Sequence, residues 1–338
     1  MSMKSVVSLC VLAILPVIAS GQSPRTATRT AWGDPDLQGV WDFRTITPLQ
    51  RPEELASKEL LTSEEAAALE EEAVLNDVDR PPPDGSVGGY NRFWFDYGTN
   101  VVEDRRTSLI VDPSDGKLPP LVPQALEQIG SFGDEVPEQR PIRYRSGGAG
   151  TDGPEDRGLS ERCIVGFNAG PPMAPGAYNN NVQILQTEDY VVIFTEMIHD
   201  ARIVPLDERP ALPEGIRLWM GNSRGHWDGE TLVVETTNFT DKIGYYISSP
   251  SPRRPVALGS GDTFHLVERF SRPNIDTLLY EYTVTDPVTF TQPFTVLIPM
   301  RRSESQIYEY ACHEGNYSVP LMLSGARALE RAEQDGSR

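Results

Sequence analysis

Acidic side chains accompany three of the four histidines of this chain. The three combinations are Glu196-Met197-Ile198-His199-Asp200, His226-Trp227-Asp228 and His313-Glu314. An imidazole gains and loses a proton near neutral pH, and a neighbouring carboxylate can orient it, so such pairs are suited to general acid–base catalysis. The fourth histidine, His265, lies between two apolar residues and is interpreted as structural.

The segment that contains His199 is predicted to be a β-strand with two different faces. Alternation over residues 190–202 places His199 on the same face as Val191 and Ile193. The opposite face carries three charged residues, Glu196, Asp200 and Arg202. If the first face points inward, His199 lies in an apolar cavity as a general base, and the charged face forms an ion-pair ladder outside. An ordinary core histidine is the alternative.

The loop after Cys312 is the second predicted catalytic segment. A bridged Cys312 would fix the backbone of His313 and Glu314, which could then transfer a proton while Tyr317 stabilises an oxyanion. The alternative is a loop beside a disulfide with ordinary hydrogen bonds. His226 adjoins an Asp-Gly turn at the rim of the predicted sheet and completes the catalytic candidates.

Metal ligation is an alternative use of the same side chains. His199, His226 and His313, with Glu314, are ligand types for zinc or copper. However, these histidines lack the close spacing that builds a local site. We therefore predict no metal and no other cofactor. The chain also has no dinucleotide fingerprint, Walker motif, Gly-x-Ser-x-Gly or His-Glu-x-x-His.

Residues 90–97 contain five aromatic side chains, the densest such group in the chain. We predict that they line a pocket for a flat or apolar ligand; capping the end of the core is the alternative. Trp41 and Trp227, on two predicted strands, are also predicted to contact the ligand. The predicted substrate-binding residues are Tyr90, Asn91, Phe93, Trp94, Trp41 and Trp227.

Charge limits the partners that the protein can bind. The 338 residues include 49 acidic and 30 basic side chains, a formal net charge of −19. A negative field of this size repels nucleic acid and anionic membrane surfaces. A small-molecule partner is therefore predicted, with no nucleic acid and no membrane span, and the oligomeric state is left open.

The N-terminal residues have the pattern of a secretory signal. Lys4 precedes an apolar run over residues 6–18, and Ala19-Ser20-Gly21 resembles a cleavage site. Export to the periplasm or the medium is predicted, with cleavage near Gly21. Export leaves Cys163 and Cys312, which are predicted to form a disulfide; a reactive or metal-binding Cys312 is the alternative.

Short apolar runs separated by turns predict a mainly β protein. The hairpin signals are strongest at Thr187-Glu188-Asp189 and at Asp228-Gly229. Further strands, including one over residues 306–311, complete an antiparallel meander predicted to close into a lipocalin-like barrel. Residues 22–160 are predicted as a loop-rich region with the first strand, a surface helix after Thr62 and a short helix near residues 123–132. Residues 161–334 hold the barrel and a short C-terminal helix.

Five phrases of the chain carry a resemblance to a known family. They are GDPDLQGVW, RRTSLIVDP, EMIHDARIVPLD, WDGETLVVETTNFTD and YEYACHEGNY. With them, the chain resembles a family of uncharacterised exported bacterial proteins. The resemblance implies export, a single evolutionary unit and a lipocalin-like barrel, and it implies no catalytic residue. Gly39-Val40-Trp41 is similar to the Gly-x-Trp on the first strand of calycins, where the indole closes one end of the barrel.

Two functions follow from these observations. The first is an exported enzyme that acts on a small, apolar or aromatic organic molecule in the cavity of the barrel, by histidine and carboxylate acid–base catalysis, as a lyase, isomerase or hydrolase. The second is a lipocalin-like carrier of a hydrophobic molecule, without catalysis. A structural or interaction module is a third interpretation, favoured if side chains fill the interior of the barrel.

Overall fold

The computed structural model describes residues 29–78, 92–123, 151–207, 209–240, 245–247, 256–258 and 263–336. For Asp156, His199 and residues 245–247 and 256–258 it describes the backbone alone. Two α-helices lie in these ranges, α1 (Ser63–Asn76) and α2 (Ser318–Gln334). The strands of the same ranges are β1 (Gly39–Asp42), β2 (Ile110–Asp112), β3 (Asn181–Gln186), β4 (Tyr190–Thr195), β5 (Ala201–Pro205), β6 (Asn222–Asp228), β7 (Thr231–Thr237), β8 (Tyr245–Ile247), β9 (Val256–Leu258), β10 (His265–Asn274), β11 (Thr277–Thr285) and β12 (Phe294–Ser303).

Ten strands form one antiparallel sheet in the order β5-β4-β3-β1-β12-β11-β10-β7-β6, with β2 paired to β12. Consecutive strands pair as hairpins within β3–β5, β6–β7 and β10–β12, which confirms the prediction of a mainly β, antiparallel fold. The order departs from a simple meander at β1, which lies between β3 and β12. The strands β8 and β9 form a separate pair.

The hairpin of β3 and β4 forms where the sequence predicts it. The N–H of Thr187 donates to the carbonyl of Tyr190 (2.8 Å), and the Thr187 hydroxyl accepts from the Tyr190 N–H (3.0 Å). Alternate residues, including Val182 and Ile193, are buried on one face, because side chains of a strand alternate between the two faces of a sheet.

Side chains and a loop cover the buried face of the sheet. The largest fully buried side chains there include Trp41, Phe270, Tyr280, Tyr282 and Phe294. Residues 168–176 are also buried, and Met173 in this loop belongs to the same cluster. The N–H of Met173 donates to the Tyr280 hydroxyl (3.0 Å), so the loop is bonded directly to a strand of the interior.

The two edge strands, β5 and β6, approach each other, although no backbone hydrogen bonds between them close the sheet in the described residues. A Cβ placed on Gly225 of β6 would lie 2.9 Å from both Val204 Cγ1 and Leu206 Cδ2. The glycine therefore permits a close approach of the two edges through side-chain packing.

The helices form where capping and periodicity predict them. The Thr62 hydroxyl accepts from the Glu65 N–H (3.2 Å) and the Glu65 carboxylate accepts from the Thr62 N–H (2.8 Å), so the predicted capping box is present. α2 is the predicted C-terminal helix, and Arg327 connects it to the carbonyl of Thr151 (2.8 Å). The helix predicted near residues 123–132 falls almost entirely outside the described residues.

The prediction of one continuous strand over residues 190–202 is wrong. β4 ends at Thr195, a 3-10 turn occupies Met197–His199, and β5 begins at Ala201. The turn changes which side chains point inward, because Arg202 now lies opposite Ile193 and shares its face. Arg202 and Glu196 are therefore buried, not members of an exterior ion-pair ladder.

The prediction of a strand over residues 306–311 is also wrong. This segment is irregular and mostly exposed, and no strand of the described sheet pairs with it. Its apolar side chains serve another contact: the ring of Tyr310 stacks on Tyr178 with centroids 6.4 Å apart.

Candidate functional site

A disulfide joins Cys163 to Cys312, as the sequence predicts. The bond links positions 149 residues apart, with their Cα atoms 5.8 Å apart. Asn316 strengthens this connection, because its Nδ2 donates to the carbonyl of Glu161 (2.8 Å). The loop that carries His313 is therefore fixed against residues 161–163. A disulfide is consistent with an oxidising compartment.

The turn before β5 contains a strained residue. Ile198 has φ +62° and ψ +11°, in the left-handed region that a β-branched side chain rarely adopts. Such a conformation costs about 1–3 kcal/mol and persists only where the surroundings enforce it. On the strand side, Glu196 is buried and accepts from Asn181 Nδ2 (2.8 Å). His199 directly follows the strained residue.

Tertiary packing brings this turn to the disulfide. Ala169, Met197 and Ile198 form a buried cluster of their own, and four partly buried residues pack against it, Phe167, Tyr178, Tyr310 and Cys312. We call this cluster, together with the Cys163–Cys312 disulfide, the disulfide junction. His199 and His313 each adjoin a member of the junction in the chain, so the structure brings together two segments that are more than a hundred residues apart.

The predicted catalytic residues beyond the disulfide are accessible. His313 and Glu314 are exposed, and Tyr317 is 71% exposed at the start of α2. His226 is also exposed, but it lies on β6 opposite Val233 and is not a member of the junction. The described geometry thus groups the segments of His199 and His313, and places His226 on the sheet edge.

The predicted substrate-binding residues are distributed over several surroundings. Tyr90 and Asn91 lie outside the described residues. Phe93 and Trp94 are 81% and 61% exposed and pack edge to face, with ring centroids 5.4 Å apart. Trp227 is partly buried against the main core, and its indole N–H has no hydrogen-bond partner within the described ranges.

Trp41 lies inside the sheet rather than at its surface. Its side chain is fully buried, and its Nε1 donates to the carbonyl of Leu37 (2.9 Å). The guanidinium of Arg272 lies 5.0 Å from the ring centroid, a cation–π contact. The described contacts of Trp41 are those of a packed core residue at the N-terminal strand.

A polar cleft adjoins the aromatic segment and was not predicted. Its volume is about 270 Å³, and its walls come from β1, residues 95–100 and β12. The charged side chains that line it are Asp42, Arg44, Asp77, Arg92, Asp96 and Arg301. They lie on separate segments, so no local pattern in the sequence indicates them.

A buried ion pair crosses the interior of the sheet. Arg202 on β5 forms a two-pronged contact with Glu268 on β10, including Nη2 to Oε1 at 2.9 Å. The hydroxyl of Tyr280 donates to the same carboxylate (2.7 Å). Burial, followed by the charge of Glu268, raises the pKa of Tyr280 well above its usual value. This network was also missed, because the prediction placed Arg202 outside.

In the described part of the chain, no group of three or more His, Cys, Asp or Glu side chains is arranged to hold a metal ion. The side chain of His199 lies outside the described atoms, so the three-histidine metal site stays a prediction. Neither α1 nor α2 has the length and apolar character of a bilayer-spanning helix.

No protein-family model, curated protein or solved structure matches this chain.

Proposed function

We propose that the protein is an exported enzyme that acts on a small, apolar or aromatic organic molecule by acid–base catalysis at the disulfide junction. The observation that carries this proposal is the left-handed Ile198 beside His199, packed in the same cluster as Cys312 beside His313. Strained residues held by their surroundings are found preferentially at functional sites.

In this proposal His199 and His313 are the proton carriers. Glu314, the next residue in the chain, is the carboxylate partner of His313 in proton transfer, and Tyr317 donates a hydrogen bond to a developing oxyanion. The exposure of His313, Glu314 and Tyr317 beyond the disulfide gives a substrate direct access. A lyase, isomerase or hydrolase reaction needs no more than these groups, and the Cys163–Cys312 bond preorganises one half of the site.

In this proposal the reaction takes place at the disulfide junction and not in the predicted cavity of the barrel. Trp41, Phe270 and Tyr282 occupy the interior where a carrier would hold a hydrophobic ligand. This packing weakens the carrier alternative and favours a structural or interaction module as the second candidate. Such a module has no use for a strained turn beside a histidine, so we prefer the enzyme.

We also propose that the fold is a lipocalin-like barrel of an exported protein. Support for the barrel is the approach of β5 to β6 at Gly225 and the ion pair from Arg202 across to Glu268. Support for export is the apolar segment before Gly21 together with the disulfide. Sequencing the N-terminus of the secreted protein tests the cleavage near Gly21.

A turnover screen tests the enzyme proposal. The chain from residue 22 onward, with its disulfide intact, is incubated in D₂O with a panel of aromatic and aliphatic esters, lactones, hydroxy acids and ketones, and the products are followed by NMR. Elemental analysis of the same sample reports zinc or copper. We expect conversion or deuterium incorporation for at least one compound.

Variants assign that activity to the junction. His199→Asn and His313→Asn should each lower turnover by at least about a hundredfold, the usual contribution of a general acid or base. His265→Asn is the matched control, because His265 lies half-buried on β10 opposite Thr285. Turnover within tenfold of the parent in both junction variants, or no conversion across the panel, would refute the proposal.

A further inference from the structure

The polar cleft beside the aromatic segment contains a preoriented set of charged side chains. Arg44 contacts Asp42 through Nε (2.8 and 2.9 Å) and Nη2 (2.6 Å), and contacts Asp96 through Nη1 (2.6 Å). The pKa of Arg44 is raised, chiefly by its hydrogen bond with Asp42. Because the guanidinium is held from both sides, the outward-facing lone pairs of the two carboxylates have fixed positions. We call this site the Arg44–Asp96 cleft.

The backbone of this cleft is also fixed. The N–H of Asp96 donates to the carbonyl of Ala177 (2.6 Å), and Asn180 Nδ2 donates to the carbonyl of Asp96 (2.9 Å). Asn180 is fully buried and lies directly before β3. The cleft is therefore attached to the sheet and does not depend on a loose surface loop for its geometry.

Aromatic rings form one side of the cleft. Phe95 and Tyr97 are stacked, with centroids 5.6 Å apart and planes 7° apart, and the guanidinium of Arg92 lies 5.1 Å from the Tyr97 centroid. Arg92 is held in turn by Asp77 (Nε to Oδ1, 2.7 Å). Phe93 and Trp94, which directly follow Arg92 in the chain, are largely exposed. The rings that line the cleft are those of Phe95 and Tyr97, and they give a ligand apolar surface.

The charges of the lining restrict the ligand. Among the described lining residues, three carboxylates, Asp42, Asp77 and Asp96, balance three guanidinium groups, Arg44, Arg92 and Arg301, so their charges sum to zero. An anion would meet the carboxylates and a cation would meet the arginines. An apolar molecule would displace water from the carboxylates and the guanidinium groups without replacing the hydrogen bonds of that water, which costs free energy.

A neutral molecule with many hydroxyl groups meets both requirements. Each hydroxyl donates one hydrogen bond and accepts others, so it can satisfy a carboxylate and a guanidinium at the same time. The C–H face of a sugar ring can pack on an aromatic ring. A neutral ligand is also not repelled by a protein with a net charge of −19.

We propose that the Arg44–Asp96 cleft binds a neutral saccharide of one or two residues. The volume of 270 Å³ is just below the range of about 300–1,000 Å³ typical of small-molecule sites, which suits a ligand of this size. Asp42 and Asp96 accept from ligand hydroxyls, Arg301 donates to them, and Tyr97 contacts the ring face. The site is separate from the disulfide junction, and neither proposal depends on the other.

Calorimetric titration with defined sugars tests this inference. The disulfide-bonded chain is titrated with a panel of neutral hexoses, pentoses and their disaccharides, and with glucuronic acid and glucosamine as charged counterparts. Tryptophan fluorescence gives a second readout, because Trp94 adjoins the cleft in the chain. We expect at least one neutral sugar to bind more tightly than both charged counterparts.

Two variants locate the binding. Asp96→Asn, which preserves the size of the side chain, should weaken binding of the neutral sugar by at least about tenfold. Arg209→Gln is the matched control: Arg209 forms the same kind of fork on Asp207 and lies 5.3 Å from the Tyr190 ring, outside the cleft. Thermal unfolding of each variant verifies that it is folded.

Three results would overturn the inference. Tighter binding of glucuronic acid than of every neutral sugar would make the cleft an anion site centred on Arg301. Neutral-sugar binding that survives Asp96→Asn would place the sugar elsewhere. No binding by any member of the panel would remove the saccharide proposal altogether.

Discussion

Replacement of Arg202 by methionine is expected to be among the most destabilising changes in this protein. Methionine keeps most of the length of the side chain and removes its charge. In the parent, Arg202 and Glu268 are 6% and 0% exposed, and the guanidinium contacts both carboxylate oxygens. After Arg202→Met, the hydroxyl of Tyr280 is the one donor to that carboxylate that remains among the described residues (2.7 Å).

The magnitude follows from the burial. Breaking a buried ion pair by removing one partner typically costs about 3–5 kcal/mol, because the remaining charge is left without compensation. The free energy of unfolding of a native protein is about 5–15 kcal/mol, so this loss is a large share of the total stability. The double variant Arg202→Met/Glu268→Gln should recover most of it, because glutamine is neutral and still accepts from Tyr280.

Equilibrium unfolding in urea, with the disulfide oxidised, measures these free energies. Arg209→Met is the control, because Arg209 and Asp207 form a pair that is 45% and 44% exposed, and solvent screens the attraction within such a pair. If Arg202→Met costs no more than Arg209→Met, or if the double variant is no more stable than Arg202→Met alone, the reasoning about the buried pair is wrong.

Three other predictions concern the interior, the edges and the disulfide. Burial raises the pKa of Tyr282 above its usual value, so near pH 10 the unfolded state loses this proton while the folded state keeps it, and the free energy of unfolding falls as pH rises further, by up to about 1.4 kcal/mol per pH unit. Tyr282→Phe should remove this contribution to the slope in alkaline unfolding curves. At neutral pH it should change the free energy of unfolding by less than about 1 kcal/mol, because the hydroxyl has no partner in the described residues. Gly225→Ala should lower the free energy of unfolding in urea by about 1–3 kcal/mol, because the added methyl group forces β5 away from β6. Gly215→Ala is the control and should not lower it, because the space around Gly215 is open. Equal effects of the two variants would argue against close packing of the sheet edges. Replacing Cys163 and Cys312 together by alanine should lower the unfolding free energy by about 2–5 kcal/mol, and an unchanged urea midpoint would contradict a structural role for the bond.

Local signals predicted those elements whose interactions are close in sequence. The turn at Thr187 and the capping box at Thr62 each depend on residues three apart, so the pattern contains the whole interaction. The pairing of Cys163 with Cys312 was predictable for a different reason, because cleavage of the predicted signal segment would remove Cys10 and leave only these two cysteines. The aromatic segment was also visible, but the charged residues of the adjoining cleft were not, since Arg44, Asp96 and Arg301 meet only in the folded chain.

The error at Arg202 shows where the pattern fails. Side chains alternate between the two faces only along one continuous strand, and the 3-10 turn at Met197–His199 ends that strand, so the alternation of β4 does not extend to Arg202. The turn is stabilised by the packing of Ile198 in the disulfide junction, which no local pattern records.

The sequence by itself determined the β-rich class, the hairpins, the first and last helices and the disulfide, because each is specified by neighbouring residues or by elimination. Only the tertiary structure decided which charges are buried, where β1 enters the sheet and which segments share a site. Those outcomes depend on contacts between positions such as 202 and 268, and the free energy of such contacts appears only when the chain brings them together.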